Sequence, residues 1–299
     1  MQQTAARPTV VGTWYLASRP HTVSASIVPV LVGTAMAAAM AGIDLVLFVC
    51  TLLGSVLVQI GTNLTDEYVD HRKSGASKFP APHKVLMRGL LSERAVFGGM
   101  VVSFVVATLL GLFIVSQAGW PILAVALASV FVAYFYSAGP LPLGDIGLGE
   151  ITVFVFMGPL MVLASYYVQV QDVSWPAFWA SVPVGLLVTS IMQCNNARDL
   201  DEDRRTGKRT LARLLGGAGA KAAYAVLVAA GYSAIVAGVV AGWLPGPALL
   251  ALLTMPLAVR NVQALQAARE RMDFNRVLVR AARLHAYTGA AFAVGLFIG

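Results

Sequence analysis

Long runs of apolar positions divide the chain into nine segments, at approximately 23–42, 44–65, 94–117, 120–137, 146–169, 176–197, 219–242, 245–264 and 282–298. Each is close to the ~20 apolar residues that a helix needs to cross the hydrocarbon core of a bilayer. Polar positions collect between the runs. A transmembrane barrel would show shorter segments of alternating hydrophobicity. The pattern therefore predicts an all-α, polytopic membrane protein of nine transmembrane helices. The N-terminal stretch MQQTAARPTVVGTW lacks the early apolar core of a cleavable signal. The first helix is expected to act as its own insertion signal.

The connections alternate in character. Those near 42–44, 116–119, 169–175 and 243–247 are short and carry no Lys or Arg, whereas 66–94, 198–221 and 260–283 are basic. The 21 Lys and Arg residues gather in the N-terminal segment and the even-numbered connections. By the positive-inside rule the N-terminus and those connections are cytoplasmic. Composition agrees: 58% of residues are hydrophobic and 12% charged, against about 25% charged in a soluble domain. A net charge of +7 would suggest nucleic acid in a soluble protein. Here basic residues report topology, so the expected partner is the lipid bilayer and not nucleic acid. Cys50 and Cys194 form no C-x-x-C pair and read as small packing residues. The 264–283 segment is basic and amphipathic. It is expected to lie at the interface or lead into the ninth helix, as a solvated connection or as a phosphate contact.

Against this apolar background one pattern occurs twice. Asn63, Asp66 and Asp70 stand as N-x-x-D-x-x-x-D, and Asn196, Asp199 and Asp203 repeat it. The copies close the second and sixth apolar runs, on the same side of the membrane. His71, Arg72 and Lys73 follow the first; Arg204 and Arg205 follow the second. On a helix, residues four apart share a face, which groups Asp66 with Asp70 and aligns Asn195, Asp199 and Asp203. Asp201 should face away. Glu67 borders the first cluster. Carboxylates at membrane-helix ends mark a functional site. Mg²⁺ takes oxygen ligands, commonly one or two carboxylates plus substrate phosphates, so two facing clusters suit a diphosphate. Lys73, Lys84, Arg198 and Lys208 would offset further phosphate charge. The bland alternative is a pair of solvated helix ends with salt bridges. Duplication on one membrane face argues against it. A cation transporter would place its acids nearer the midplane, on broken helices.

Other residues carry two readings each. Tyr68 is a cation-stabilising ring or an interfacial anchor. Tyr134 and Tyr136 belong to an aromatic belt or line a cavity. Glu150 meets an acceptor or is a helix N-terminal charge. Arg19 binds an acceptor carboxylate or anchors topology. His71 and His83 lack metal-ligand spacing. The 75–82 loop, and Gly207 with Lys208, suit caps over the two motifs.

These residues resemble the UbiA superfamily of intramembrane prenyltransferases, over essentially the whole chain. AsnLeuThrAspGluTyrValAspHisArgLysSerGly (63–75) looks like its first motif, and AsnAsnAlaArgAspLeuAspGluAspArgArgThrGlyLysArgThrLeu (195–211) like its second. Segments 19–34, 136–150 and 195–199 are most similar to the MenA branch, the 1,4-dihydroxy-2-naphthoate polyprenyltransferases. The chain departs at Asp66-Glu67, where the family often has Asn-Asp. Its central loop 138–150 lacks Lys and Arg, and His21 replaces a basic residue common in the branch. The resemblance implies one domain over 1–299 in a UbiA-like bundle, with cap loops at about 66–94 and 198–218. It implies Mg²⁺ held by Asp66, Asp70, Asp199 and Asp203 as the catalytic group. It implies polyprenyl diphosphate and an aromatic acceptor, in the MenA branch 1,4-dihydroxy-2-naphthoate, bound with help from Asn63, Glu67, Tyr68, Lys73, Lys84, Tyr136, Asn195, Asn196, Arg198 and Lys208. The implied place is the cell (inner) membrane, with the site toward the cytoplasm and a role in menaquinone synthesis. 4-Hydroxybenzoate, homogentisate and a tetrapyrrole are the alternative acceptors.

Overall fold

The computed structural model describes residues 8–74, 84–137 and 143–299; the side chains of Asp70, Lys73, Ser74, Ala133, Tyr134 and Ser137 lie outside the described set. The expected cap at 75–82, together with His83 and the first residues of the central loop, also falls outside it. The described residues are helical, with no strand among them. The helices are α1 (Val10–Ala17), α2 (Ser24–Ala41), α3 (Leu45–Ser74), α4 (Glu93–Ala118), α5 (Trp120–Ser137), α6 (Gly149–Val155), α7 (Met161–Val170), α8 (Trp175–Arg198), α9 (Leu200–Thr206), α10 (Leu211–Val240), α11 (Met255–Ala267) and α12 (Arg271–Ile298). A π-helical turn, Phe156–Leu160, joins α6 to α7, and a 3-10 stretch, Gly246–Thr254, leads into α11.

Among the described residues eight helical spans are long and apolar enough to cross a membrane, and Trp120–Val132 is a shorter apolar helix. Side chains on α4 and α5 such as Leu109, Leu127 and Val130 are more than half exposed, as a lipid-facing surface requires. α8 is the most enclosed span, with 67% of its apolar window buried against 11% for α3. It is therefore the central post. Around it Val28 and Val32 of α2, Val184 of α8, Ile235 of α10 and Phe292 of α12 form one apolar cluster.

Lipid tails are as apolar as leucine, so helix association in a membrane depends on close packing and buried hydrogen bonds. Both are present. Gly158 meets Gly185 where the π turn crosses α8; a Cβ on Gly158 would stand 2.6 Å from the Gly185 Cα. Pro159 explains the π turn, because it has no N–H to give and its ring displaces the preceding carbonyl. At Gly33 of α2 a Cβ would run into the Val162 carbonyl of α7. Tyr232, Thr254 and Thr288 join α10, the 3-10 stretch and α12 through hydroxyl contacts of 2.7–3.1 Å.

The two ends of the bundle differ. At one, Trp175, Trp179 and Trp243 stack within 4.7–6.2 Å, and Gln169 bonds Asp44. The other carries the charged motifs. The helices there are longer than the apolar runs. α3 continues to Ser74, so the whole first motif is helical. α12 begins at Arg271, through a reciprocal cap between Glu270 and Asp273, so residues 271–283 of the basic segment lead into the last helix, while 264–267 close α11.

Gly33→Leu is expected to lower the stability of the detergent-solubilised protein by at least the ~1–3 kcal/mol typical of overpacking, read as a lower thermal midpoint. An unchanged midpoint would show that α2 and α7 are not in contact at this point.

Candidate functional site

The first motif sits on the last turns of α3, facing the short 18–23 connection between α1 and α2. Asn63 is buried, and its Nδ2 donates to the Ser18 carbonyl and to Thr22 Oγ1, both at 2.8 Å. Its amide thereby pins the connection onto α3. Arg19 sits at φ 50, a left-handed conformation that costs a non-glycine residue about 1–3 kcal/mol. The turn aims its guanidinium at the motif, Nη1 to Asp66 Oδ2 at 3.3 Å and Nη2 to Glu67 Oε2 at 4.0 Å. Asp66 is half exposed, whereas Glu67 is 1% exposed. Glu67 accepts the Leu86 N–H at 3.0 Å and pairs with Lys84 at 3.6 Å. This buried carboxylate docks the 84–90 segment beside α3. Tyr68 turns toward α4, 5.6 Å from the Phe97 ring and beneath Arg72 at 5.0 Å. That is the packing side of the helix.

The second motif straddles a break. α8 stops at Arg198, Asp199 has φ −95 and ψ 10, and α9 starts at Leu200. The expected continuous ladder is bent there. The Asp199 N–H still bonds the Asn195 carbonyl at 3.1 Å, and the Asp203 N–H the Asp199 carbonyl at 2.8 Å. Asp199 is clasped by two guanidiniums: Arg198 forks onto both oxygens at 2.9 and 2.6 Å, and Arg271 of α12 reaches Oδ1 at 2.8 Å. Arg198 is itself positioned by Asn195 at 2.7 Å and Asn275 at 3.0 Å. Asp203 is buried, and its Oδ2 accepts the Thr210 hydroxyl at 3.2 Å. Thr210 also caps α10 by accepting the Arg213 N–H. Burial pushes the Asp203 carboxyl above its ordinary range, with Asp199 and Glu202 adding to the rise; Thr210 and Lys208 oppose it. Asp201 faces solvent at 89% exposure, as its helical offset requires.

Buried Asn196 donates to Glu150 Oε1 at 2.8 Å, and the Leu211 N–H reaches the same oxygen at 3.2 Å. Glu150 thus ties α6, α8 and α10 together below the motif. Lys208 pairs with Asp145 at 3.3 Å, joining the connection after α9 to the turn before α6.

Two residues relate the clusters to each other. His21 is depressed below its ordinary pKa by burial, then by the positive fields of Arg19 and Arg198. An arginine from each cluster thus acts on it. Tyr136, whose hydroxyl points at Met192 Sδ 3.6 Å away, lies in the fields of Glu150, Asp66 and Asp145. The two motifs thus share one polar end of the bundle.

A hard divalent cation suits this donor set. Among the described residues no three acidic, His or Cys side chains gather closely enough to hold an ion by themselves. An ion bound here takes one or two carboxylates and completes its shell with phosphate oxygens and water, as Mg²⁺ prefers. Arg19 pairs with Asp66, and Arg198 and Arg271 pair with Asp199. Arg271, Glu150, Asn275 and Thr210 are parts of this end that the motifs alone did not reveal. The sequence signals were the basic run around Arg271, the carboxylate of Glu150 at the end of the central loop, and the place of Thr210 in the 195–211 segment.

Comparison with known proteins follows the same lines. The model of the UbiA prenyltransferase family matches residues 26–295. The chain is 30% identical over 286 residues to a 1,4-dihydroxy-2-naphthoate octaprenyltransferase of Bacillus subtilis, covering 95% of this chain and 92% of that one. In fold it is similar to the apo structure of a UbiA homolog from Aeropyrum pernix K1, with a TM-score of 0.67 at 18% identity, over 91% of this chain and 97% of that one. A UbiA homolog from Archaeoglobus fulgidus, solved bound to GPP and Mg²⁺, superposes with a TM-score of 0.58 at 14% identity, over 94% and 99% of the two chains.

Glu67→Ala leaves Lys84 and Arg19 facing a lost carboxylate and is expected to cost about 3–5 kcal/mol, as breaking a buried pair does. Asp66→Ala, at a half-exposed pair, is expected to cost at most ~1 kcal/mol. Thermal unfolding in detergent separates the two; equal losses would contradict the burial difference.

Proposed function

The chain belongs to the UbiA prenyltransferase family, and on that premise we propose that it transfers a polyprenyl group from its diphosphate to 1,4-dihydroxy-2-naphthoate, with loss of the acceptor's carboxyl group, in menaquinone synthesis. It is a polyprenyltransferase and a multi-pass membrane protein. Its whole length forms one catalytic domain in the cell membrane, with the site toward the cytoplasm. The observation that carries this reading is the pair of carboxylate clusters converging on one polar end, each already held by cations from neighbouring elements.

Asp66, Asp70, Asp199 and Asp203 would hold Mg²⁺, which supplies Lewis-acid stabilisation of the departing diphosphate. The chain's own residues do the rest. Arg19, Lys73, Lys84, Arg198 and Lys208 offset phosphate charge that the carboxylates alone would repel. Asn195 orients Arg198. Asn63, Glu67 and Asn196 act by fixing the two motifs to the bundle. Tyr136, with Tyr68 on the α4 side, borders the route by which the ring approaches. The allylic carbon–oxygen bond breaks with its electron pair leaving on diphosphate, and the electron-rich ring attacks the allylic carbon. Carbon dioxide then departs from the acceptor, and its bonding electrons restore the aromatic ring. The low-dielectric surroundings keep water from capturing the cation.

A transfer assay on protein in detergent tests this, with Mg²⁺, a polyprenyl diphosphate and either the dihydroxynaphthoate or 4-hydroxybenzoate. Prenylated naphthoate that disappears with EDTA is the expected product. Product with the benzoate alone would reassign the acceptor. Asp66→Ala, Asp199→Ala and Asp203→Ala are expected to lower kcat by at least ~10²-fold, the scale for removing an electrostatic stabiliser. Near-normal turnover in the last two would refute the proposed site.

A further inference from the structure

Beside the second motif, and sharing Arg198 with it, lies a cavity of about 440 Å³. This volume is in the range of small-molecule sites. Its walls come from α8 and α9, the start of α10, and the turn between α11 and α12. Arg198, Arg205, Lys221, Arg269 and Arg271 supply five cations; Asp201 and Glu202 supply the two carboxylates. The floor is apolar, with Leu200 and Phe274. Lys221 is fixed in place, donating to the Gln266 carbonyl at 3.1 Å and the Ala268 carbonyl at 2.6 Å, with its ammonium 5.6 Å from the Phe274 ring. This holds the turn that presents Arg269 and Arg271.

Residues adjoining the lining in sequence are exposed and apolar. Leu214 is 70% exposed and Leu215 48%, just before α10 bends at Gly216, and Met272, next to Arg271, is 62% exposed. Large apolar side chains among arginines are the composition of a surface seated in the headgroup region of a bilayer. Guanidinium groups in number favour phosphate, which accepts from them in pairs.

We propose that this cavity is an accessory binding site for a phosphate-bearing anion, either the headgroup of an anionic phospholipid or free phosphate. Arg271 links the cavity to the motif, since it reaches both Asp199 at 2.8 Å and Glu202 at 3.6 Å. An anion drawing on Arg271 competes with Asp199 for it. The site therefore reports on the carboxylate that the transfer reaction needs, although its occupancy is measurable without any transfer.

The test uses the full chain, the variant R205Q/R269Q, and a charge-matched control, R94Q/R260Q, whose exposed arginines lie away from the cavity. Native mass spectrometry measures retention of phosphatidylglycerol against phosphatidylcholine, and thermal shift measures stabilisation by inorganic phosphate. Wild type and control are expected to retain phosphatidylglycerol about tenfold more tightly than R205Q/R269Q, equivalent to ~1.4 kcal/mol. That result identifies the lipid as the source. Stabilisation by inorganic phosphate in wild type and control, lost in R205Q/R269Q, identifies the free anion instead. If R205Q/R269Q matches wild type with both probes, the proposal is overturned.

Discussion

A carboxylate at the end of an apolar helix must find a positive partner, and the architecture of this protein's polar end follows from meeting that demand. Asp199 is the clearest case. It sits where α8 breaks, 18% exposed, with one guanidinium from its own chain neighbour and another from the far end of the sequence. Arg271 can reach it only because α12 begins early and packs against α8. Arg198 can fork onto it only because Asn195 and Asn275 hold its other nitrogens. The first motif solves the same problem with Arg19, placed by a left-handed backbone that Asn63 stabilises from behind.

The consequence is a site held in readiness by internal cations. Coulomb attraction between unit charges at ~3 Å is strong where water is scarce, and buried pairs reward good geometry while punishing the loss of one partner. Asp66 and Asp199 are thus oriented by fixed guanidinium partners at the polar end of the bundle. The same arginines are also the natural receptors for phosphate oxygens. Glu67, Asn63 and Glu150 are enclosed and bonded to backbone or neighbouring side chains, while Asp66 is open.

Much of this was legible from sequence. Apolar run length gave the spans, because a bilayer imposes its thickness on any helix that crosses it. The duplicated N-x-x-D-x-x-x-D pointed to the candidate site, because such residues have no packing reason to recur. Other features were hidden for physical reasons. The break at Asp199 lies in a run whose residues all tolerate a helix, so nothing local marks it. Arg271 looks like any charge of a basic connection; only the Glu270–Asp273 cap, read in three dimensions, shows that a helix starts there. Glu67 reads as a substrate-binding residue bordering the cluster of Asp66, yet one helical step carries it to the buried face. The π turn at Pro159 and the Gly158–Gly185 crossing depend on which helices meet, and periodicity does not specify that.

The central claim is that the two motifs form one diphosphate site. Calorimetric titration with an unreactive prenyl thiodiphosphate, with and without Mg²⁺, tests it on wild type, Asp66→Ala and Asp199→Ala. The account predicts a single Mg²⁺-dependent binding event per chain, lost when either aspartate is removed. Two independent binding events, or binding that survives the loss of one motif, would contradict it.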